Sequence, residues 1–216
     1  MKLFTSVVLL ILVIVLSPDV SNSQDYKINT YAGYAFDDAI IYSGTSAEYD
    51  GLLEGGLVWG LGFEYVPRHS DYGIELMYLR QDTESPLIST ASDTTGNQSL
   101  DIGINYVLFG ANKYFRFGRS KTFYSYTGAL LGVSLTDTKS SLTGQSVSGT
   151  NFAWGLRIGA TYLVSNNVGL NFNAQLLSTT QRIDEELFPG SSIGTTGSAS
   201  TLQFGLNGGI SFMFGD

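Results

Sequence analysis

The sequence predicts an all-β chain, an eight-stranded antiparallel transmembrane β-barrel preceded by a cleavable signal peptide. Three observations predict it. Much of the chain alternates bulky apolar residues with small or uncharged polar ones, the connections alternate between short and long, and a short apolar leader opens the chain. From Leu202 to Phe214 one set of positions reads Leu202, Phe204, Leu206, Gly208, Ile210, Phe212, Phe214. The other reads Gln203, Gly205, Asn207, Gly209, Ser211, Met213. A period of two belongs to a strand with two unlike faces. A soluble sheet would carry Lys and Glu on its second face, and this face has no charge. Lipid outside and a crowded polar lumen inside fit it.

Taken in order, the elements begin with the leader. Lys2 is followed by an apolar run from Val7 to Leu16, then Ser17-Pro18 and a small-x-small site at Ser21-Asn22-Ser23. This reads as a secretory signal peptide, residues 1–23, cleaved before Gln24. The run is shorter than the roughly 20 residues of a spanning helix. The mature barrel is then 24–216, and the chain is expected to end with its last strand, without a peptidoglycan-binding module. Tyr26 to Phe36 is strand-like. Leu57, Trp59, Leu61, Phe63, Tyr65 form one face of the next strand against Val58, Gly60, Gly62, Glu64. Ile74, Leu76, Tyr78 oppose Glu75, Met77, Leu79, and Ile102, Ile104, Tyr106, Leu108 oppose Asp101, Gly103, Asn105, Val107. In both strands the first set is assigned to lipid. Thr122 to Leu135 is less clean, because Phe123-Tyr124 leaves its facing ambiguous. Trp154 to Tyr162 and Leu170 to Leu176 alternate as the last strand does. Each segment is long enough for a tilted crossing of roughly 9–11 residues.

The turns around Pro67–Asp71, Arg116–Ser120 and Ser165–Asn167 are tight. The connections Asp37–Gly51, Gln81–Ser99, Thr136–Gly149 and Ser178–Ala199 are long. In outer-membrane barrels short turns face the periplasm and long loops the exterior. A bacterial outer membrane with both termini periplasmic is therefore the expected location. Charge divides likewise. Arg68, Lys113, Arg116, Arg119 and Lys121 lie near the short turns. Asp37, Asp38, Glu48, Asp50, Asp82, Glu84, Asp93, Asp137, Asp184, Glu185 and Glu186 lie in the long loops and account for most of the net charge of −8. No basic cluster exists to follow phosphates, which excludes nucleic acid as a partner. The acidic loops read as a solvated surface, with cation bridging to lipopolysaccharide as the alternative. The absence of Cys excludes disulfides and thiol chemistry.

A soluble lipocalin-like barrel is the competing architecture. Its outer face should be hydrophilic, yet only 14% of residues are charged and most of those fall in loops. An eight-stranded barrel has room inside only for side chains, which excludes an open porin. By alternation the inward charges are Lys27, Glu54, Glu64, Glu75, Asp101 and Arg157. A charge in a narrow lumen must be paired or hydrated. The expected lumen network is therefore Arg157, Glu75, Glu64, Lys27 and Asp101, with Glu75 the first partner of Arg157 and Glu64 the second. A static plug and a partner-swapping gate both fit this set. Near the short-turn interface the aromatic girdle comprises Tyr65, Tyr72, Tyr114, Phe115, Phe123, Tyr124, Tyr162, Phe212 and Phe214. Tyr78, Phe36 and Phe152 mark the other interface.

The phrases Tyr106-Val107-Leu108-Phe109-Gly110-Ala111-Asn112 and Gly155-Leu156-Arg157-Ile158-Gly159-Ala160-Thr161-Tyr162 have the wording of known strands. Together with the leader and the aromatic last strand, they make the chain resemble the small outer-membrane β-barrels, the group of the OmpA membrane domain, OmpX and OmpW. The final strand of that group usually ends on Phe, whereas Phe214 is followed here by Gly215-Asp216. The resemblance implies architecture. It admits a closed scaffold displaying acidic loops, or a narrow channel or hydrophobic-ligand path as in OmpW-like barrels. Partners are expected to be outer-membrane lipid, lipopolysaccharide and other envelope proteins, with the barrel a monomer. Lipid-modifying enzymes of this shape need a base beside a Ser on the outer rim. The lone His69 sits in a short turn, where Ser70 and Asp71 are too close in sequence to converge with it. No metal-ligand spacing or phosphate-cradling context is present, so no enzyme activity, cofactor or metal is expected.

Overall fold

Bulky side chains on alternate positions favour extended backbone because each face then meets its own solvent, and ten strands result among the described residues. In a computed structural model, residues 24–43, 48–67, 70–87, 98–117, 122–140, 146–183 and 197–215 are described. Residues 1–23, read above as a signal peptide, and Arg68, His69, Asp93, Arg119, Lys121 and Asp184–Glu186 lie outside the described residues. The strands are β1 (Gln24–Ala35), β2 (Asp38–Ser43), β3 (Glu48–Leu53), β4 (Gly56–Pro67), β5 (Tyr72–Leu87), β6 (Gln98–Phe117), β7 (Phe123–Ser140), β8 (Ser146–Leu163), β9 (Val168–Ile183) and β10 (Gly197–Phe214). Eight of them close a barrel in the order β1-β10-β9-β8-β7-β6-β5-β4, and β2 and β3 form a separate hairpin. Every pairing is antiparallel.

The barrel closes where β1 meets β10. Register runs from Tyr26↔Phe214 to Asn29↔Ser211 and resumes from Ala32↔Gly208 to Ala35↔Gly205. Across the interruption the Thr30 hydroxyl accepts from the Ile210 amide at 2.8 Å and donates to the Ile210 carbonyl at 3.2 Å. Gly209 is required there, since a Cβ at that position would overlap the Thr30 backbone.

The outward residues form a continuous apolar belt. Leu57, Trp59, Leu61, Phe63, Phe109, Leu131, Leu156, Ile158, Phe172, Leu206 and Ile210 are all exposed. Exposed rings meet on this surface, as in Tyr26–Phe63 at 5.8 Å and Phe36–Phe204 at 5.6 Å between centroids. So much exposed apolar surface has no counterpart on a soluble monomer and fits acyl chains. At its upper edge, towards the long connections, the belt gives way to polar groups. Arg80 donates to Asp82 at 2.7 Å and to Asn105 at 3.3 Å, and Tyr78 donates to Asn105 at 2.8 Å.

The long connections contain more strand than the sequence suggests. β5–β6 pairing continues to Leu87↔Gln98, β6–β7 to Leu100↔Ser140 and β7–β8 to Lys139↔Ser146. The 20 residues of β6 span about 66 Å at ~3.3 Å each, well beyond an apolar band of about 25 Å even when tilted. Above Ala153↔Thr179, β8 continues without β9 among the described residues. Strands β5–β8 therefore rise past the closed barrel as a four-stranded sheet. The β2–β3 hairpin falls on Asp37–Gly51 and runs on to Leu53, and its base is fastened to the rim. The Gly55 amide donates to Asp37 Oδ1 at 2.6 Å and the Leu202 amide to Asp38 Oδ2 at 2.7 Å. Two acids expected to be merely solvated are thus backbone acceptors.

Candidate functional site in the lumen

The lumen is filled in layers. Alternation places Lys27, Asn29 and Tyr31 of β1, Glu64 of β4, Glu75 of β5, Asn112 and Tyr114 of β6, Tyr126 of β7 and Arg157 of β8 on the inward face, all buried. Register sets Lys27 opposite Glu64 and Glu64 opposite Glu75. Two carboxylates directly across a strand pair repel, so both require cations or donors. Glu75 takes an ion pair with Arg157 Nη2, together with the Tyr31 hydroxyl at 2.6 Å and Asn29 Nδ2 at 3.0 Å. Lys27 Nζ lies 3.7 Å from Glu64, which also accepts from Asn112 Nδ2 at 2.8 Å and from the Tyr114 hydroxyl. Arg157 donates through Nε and Nη2 to Asn112 Oδ1 at 3.1 and 2.8 Å. Asn112 thus links the two pairs. The rings complete the coordination, with Lys27 Nζ 3.9 Å from the Tyr114 centroid and Arg157 5.4 Å from that of Tyr126. Two cations and two anions make the layer neutral, as burial demands. Gly62 makes room for it, because a Cβ there would overlap the Glu75 carboxylate.

Above the ionic layer sits an apolar one. Val58, Met77, Leu79, Ile104, Tyr106, Leu108, Leu130, Ala153 and Leu177 pack together, and Leu53 from the end of β3 caps them from the rim. Paired ions below and packed hydrocarbon above fill these two layers of the described lumen. Among the described residues no three His, Cys, Asp or Glu side chains group to hold a metal ion.

The structure corrects several expectations. Asp101 is exposed on the outward face of β6 and takes no part in the lumen network, and Glu54 is likewise exposed. Ile102, Ile104, Tyr106 and Leu108 face the lumen, while Val107 and Phe109 face lipid. Here the more apolar set turns inward although Asp101, Gly103 and Asn105 stand on the outward face, and the need to fill the lumen against Met77, Leu79 and Leu130 decides the facing. Asn112 and Tyr114 share the inward parity and were the available signal. Tyr114 and Tyr124 are buried beside Lys27 and leave the girdle, whereas Tyr72, Phe115, Phe123, Tyr162, Phe212 and Phe214 are exposed. Asn29, Tyr31 and Tyr126 were legible only through parity with their charged neighbours.

Sequence comparison matches residues 6–212 to the family described as outer membrane protein beta-barrel domain. No curated protein matches the chain. Among solved structures, Neisserial surface protein A shares 18% identity at a TM-score of 0.50, covering 88% of this chain and 97% of that one. The outer membrane protein OprG from Pseudomonas aeruginosa shares 14% identity at a TM-score of 0.61, covering 90% and 98%. At these identities the likeness speaks to the fold. With the family match spanning nearly the whole chain and a closed barrel of eight strands girdled by exposed apolar residues, this protein belongs to the outer membrane protein β-barrel family.

Proposed function

We propose that the protein is a closed barrel serving as a structural and interaction scaffold, which holds the β5–β8 sheet and the β2–β3 hairpin beyond the membrane. On this reading residues 1–23 are a cleaved leader, both termini are periplasmic, and the long connections with their acids face the exterior. The observation that carries it is the filled lumen. The Lys27–Glu64 and Arg157–Glu75 pairs, joined through Asn112, lie beneath packed Met77, Leu79, Leu108 and Leu130. Recognition on a rigid scaffold normally resides in its loops and extensions, which here suits lipopolysaccharide or another envelope protein. The barrel is read as a monomer without a catalytic step, a cofactor or nucleic-acid binding. The rival role is a narrow channel or a path for a hydrophobic ligand, and planar-bilayer conductance of the refolded protein separates the two. Silence supports the scaffold. Discrete reproducible openings that change with Arg157→Ala would overturn it.

A further inference from the structure

At the short-turn end of the lumen, Lys27 differs from the other buried charges because its ammonium is held mainly by ring faces. Its Nζ lies 3.9 Å from the centroid of Tyr114 and 5.2 Å from that of Tyr124, both within the range of cation–π attraction. The two rings meet at 77° with centroids 5.5 Å apart, so they form a corner around the cation. The nearest carboxylate oxygen, Glu64 Oε2, stands at 3.7 Å, beyond a normal hydrogen bond. Lys27, Glu64, Tyr114 and Tyr124 are each more than nine-tenths buried.

The walls of this corner are fixed by partners other than Lys27. The Tyr114 hydroxyl donates to Glu64 Oε1. Glu64 also accepts from Asn112 Nδ2 at 2.8 Å and from Asn29 Nδ2 at 3.5 Å. Tyr114 packs against Tyr126 with centroids 5.8 Å apart, and Tyr124 lies in the same buried cluster, beside Val66. Walls already in place do not have to be ordered when a ligand arrives. The same residues border a cavity of about 10 Å³, room for about one water molecule. On its border Asn171 Oδ1 is buried and accepts no hydrogen bond among the described residues. An ammonium group brings three donors, and a carboxylate, an amide oxygen and a water are the acceptors it needs. Charge favours a cation as well. Without Lys27, Glu64 would be a buried carboxylate with neutral donors only, since Arg157 is taken by Glu75, and a mobile cation relieves that state.

We propose that Glu64, Tyr114 and Tyr124 form a binding site for a small primary ammonium ion, which Lys27 fills from within the chain. Its tether keeps the Lys27 ammonium at a high effective concentration, so free amines do not displace it from the wild-type protein. Lys27→Ala removes Cγ, Cδ, Cε and Nζ, the heavy-atom skeleton of propylammonium, and opens the site to that ion. Urea unfolding of Lys27→Ala in liposomes, with and without propylammonium chloride, tests this. The variant should have a lower midpoint than wild type. A ligand that binds only the folded state stabilises it with the logarithm of its concentration, so propylammonium should raise the midpoint in that way. Neither 1-propanol nor sodium chloride at the same concentrations should do so. Wild type and the double variant Lys27→Ala, Glu64→Gln should not respond, the site being filled in one and uncharged in the other. An inserted Lys27→Ala that ignores propylammonium overturns the site. An equal response in wild type or in the double variant also overturns it, because it marks a general solvent effect. Where Lys27→Ala does not insert by itself, refolding yield read from heat-modifiable gel migration decides. Recovery with propylammonium and not with sodium chloride supports the site, and no recovery under conditions in which wild type refolds overturns it.

Discussion

Replacing Glu75 by Gln keeps the shape of the side chain and removes the charge facing Arg157. Glu75 is fully buried and receives Arg157 Nη2, the Tyr31 hydroxyl and Asn29 Nδ2. After the change Arg157 retains Asn112 Oδ1 and the Tyr31 hydroxyl as neutral acceptors, and its charge is uncompensated. Removing one member of a buried pair costs about 3–5 kcal/mol. The retained hydrogen bonds put Glu75→Gln near the lower bound, at about 3 kcal/mol. Arg157→Met leaves a buried carboxylate with neutral donors only and should cost a similar amount. The double variant buries neither charge and should cost well under the sum, with a coupling of about 2–4 kcal/mol. Urea unfolding in liposomes, followed by tryptophan fluorescence and extrapolated linearly, gives the three differences. A double variant whose loss equals the sum within about 0.5 kcal/mol would refute the claim that these charges are held by one another.

Leu206→Arg places a cation on the lipid face and should destabilise by roughly 2–4 kcal/mol in the same refolding assay. The adjacent lumen-facing Asn207→Ser should cost less, and equal losses would show that the facing is misassigned. Gly62→Val drives a side chain into the Glu75 carboxylate and towards Tyr31. It should cost about 1–3 kcal/mol by overpacking, read as a lower urea midpoint, with Gly149→Val, where a Cβ would meet only Asn151 Nδ2 at 3.5 Å, as the near-neutral control. Asp38→Ala removes the acceptor of the Leu202 amide, a loss of about 1 kcal/mol. Limited proteolysis should then cut faster within the β2–β3 hairpin while the barrel strands stay protected, and unchanged cleavage would show that Asp38 does not fasten it.

Where the two faces of a strand differed in chemistry, the sequence by itself determined facing. Leu202 to Phe214, Trp154 to Tyr162 and Leu170 to Leu176 alternate bulky apolar with small or polar residues, and their outward and inward sets in the structure are those read from parity. The same parity placed Lys27, Glu64, Glu75 and Arg157 inside. Parity and position along the strands named Glu75 as the first candidate partner of Arg157, but not the geometry that brings them together. Arg157 reaches Glu75 from β8 to β5, across the lumen from its own neighbouring strands, a contact set by barrel closure and strand stagger. Asn112 bridges the two ion pairs for the same reason. On β6 the alternation pointed the wrong way, since Ile102, Ile104, Tyr106 and Leu108 turn inward and Gly103 and Asn105 outward, and the volume to be filled between Leu79 and Leu130 decides which set turns inward. Asp37 and Asp38 read in sequence as loop acids and Glu54 as an inward charge, and only tertiary structure makes the first two acceptors of backbone amides and leaves Glu54 exposed. Alternation is a local property of consecutive residues, whereas pairing across a lumen depends on residues brought together only when the barrel closes.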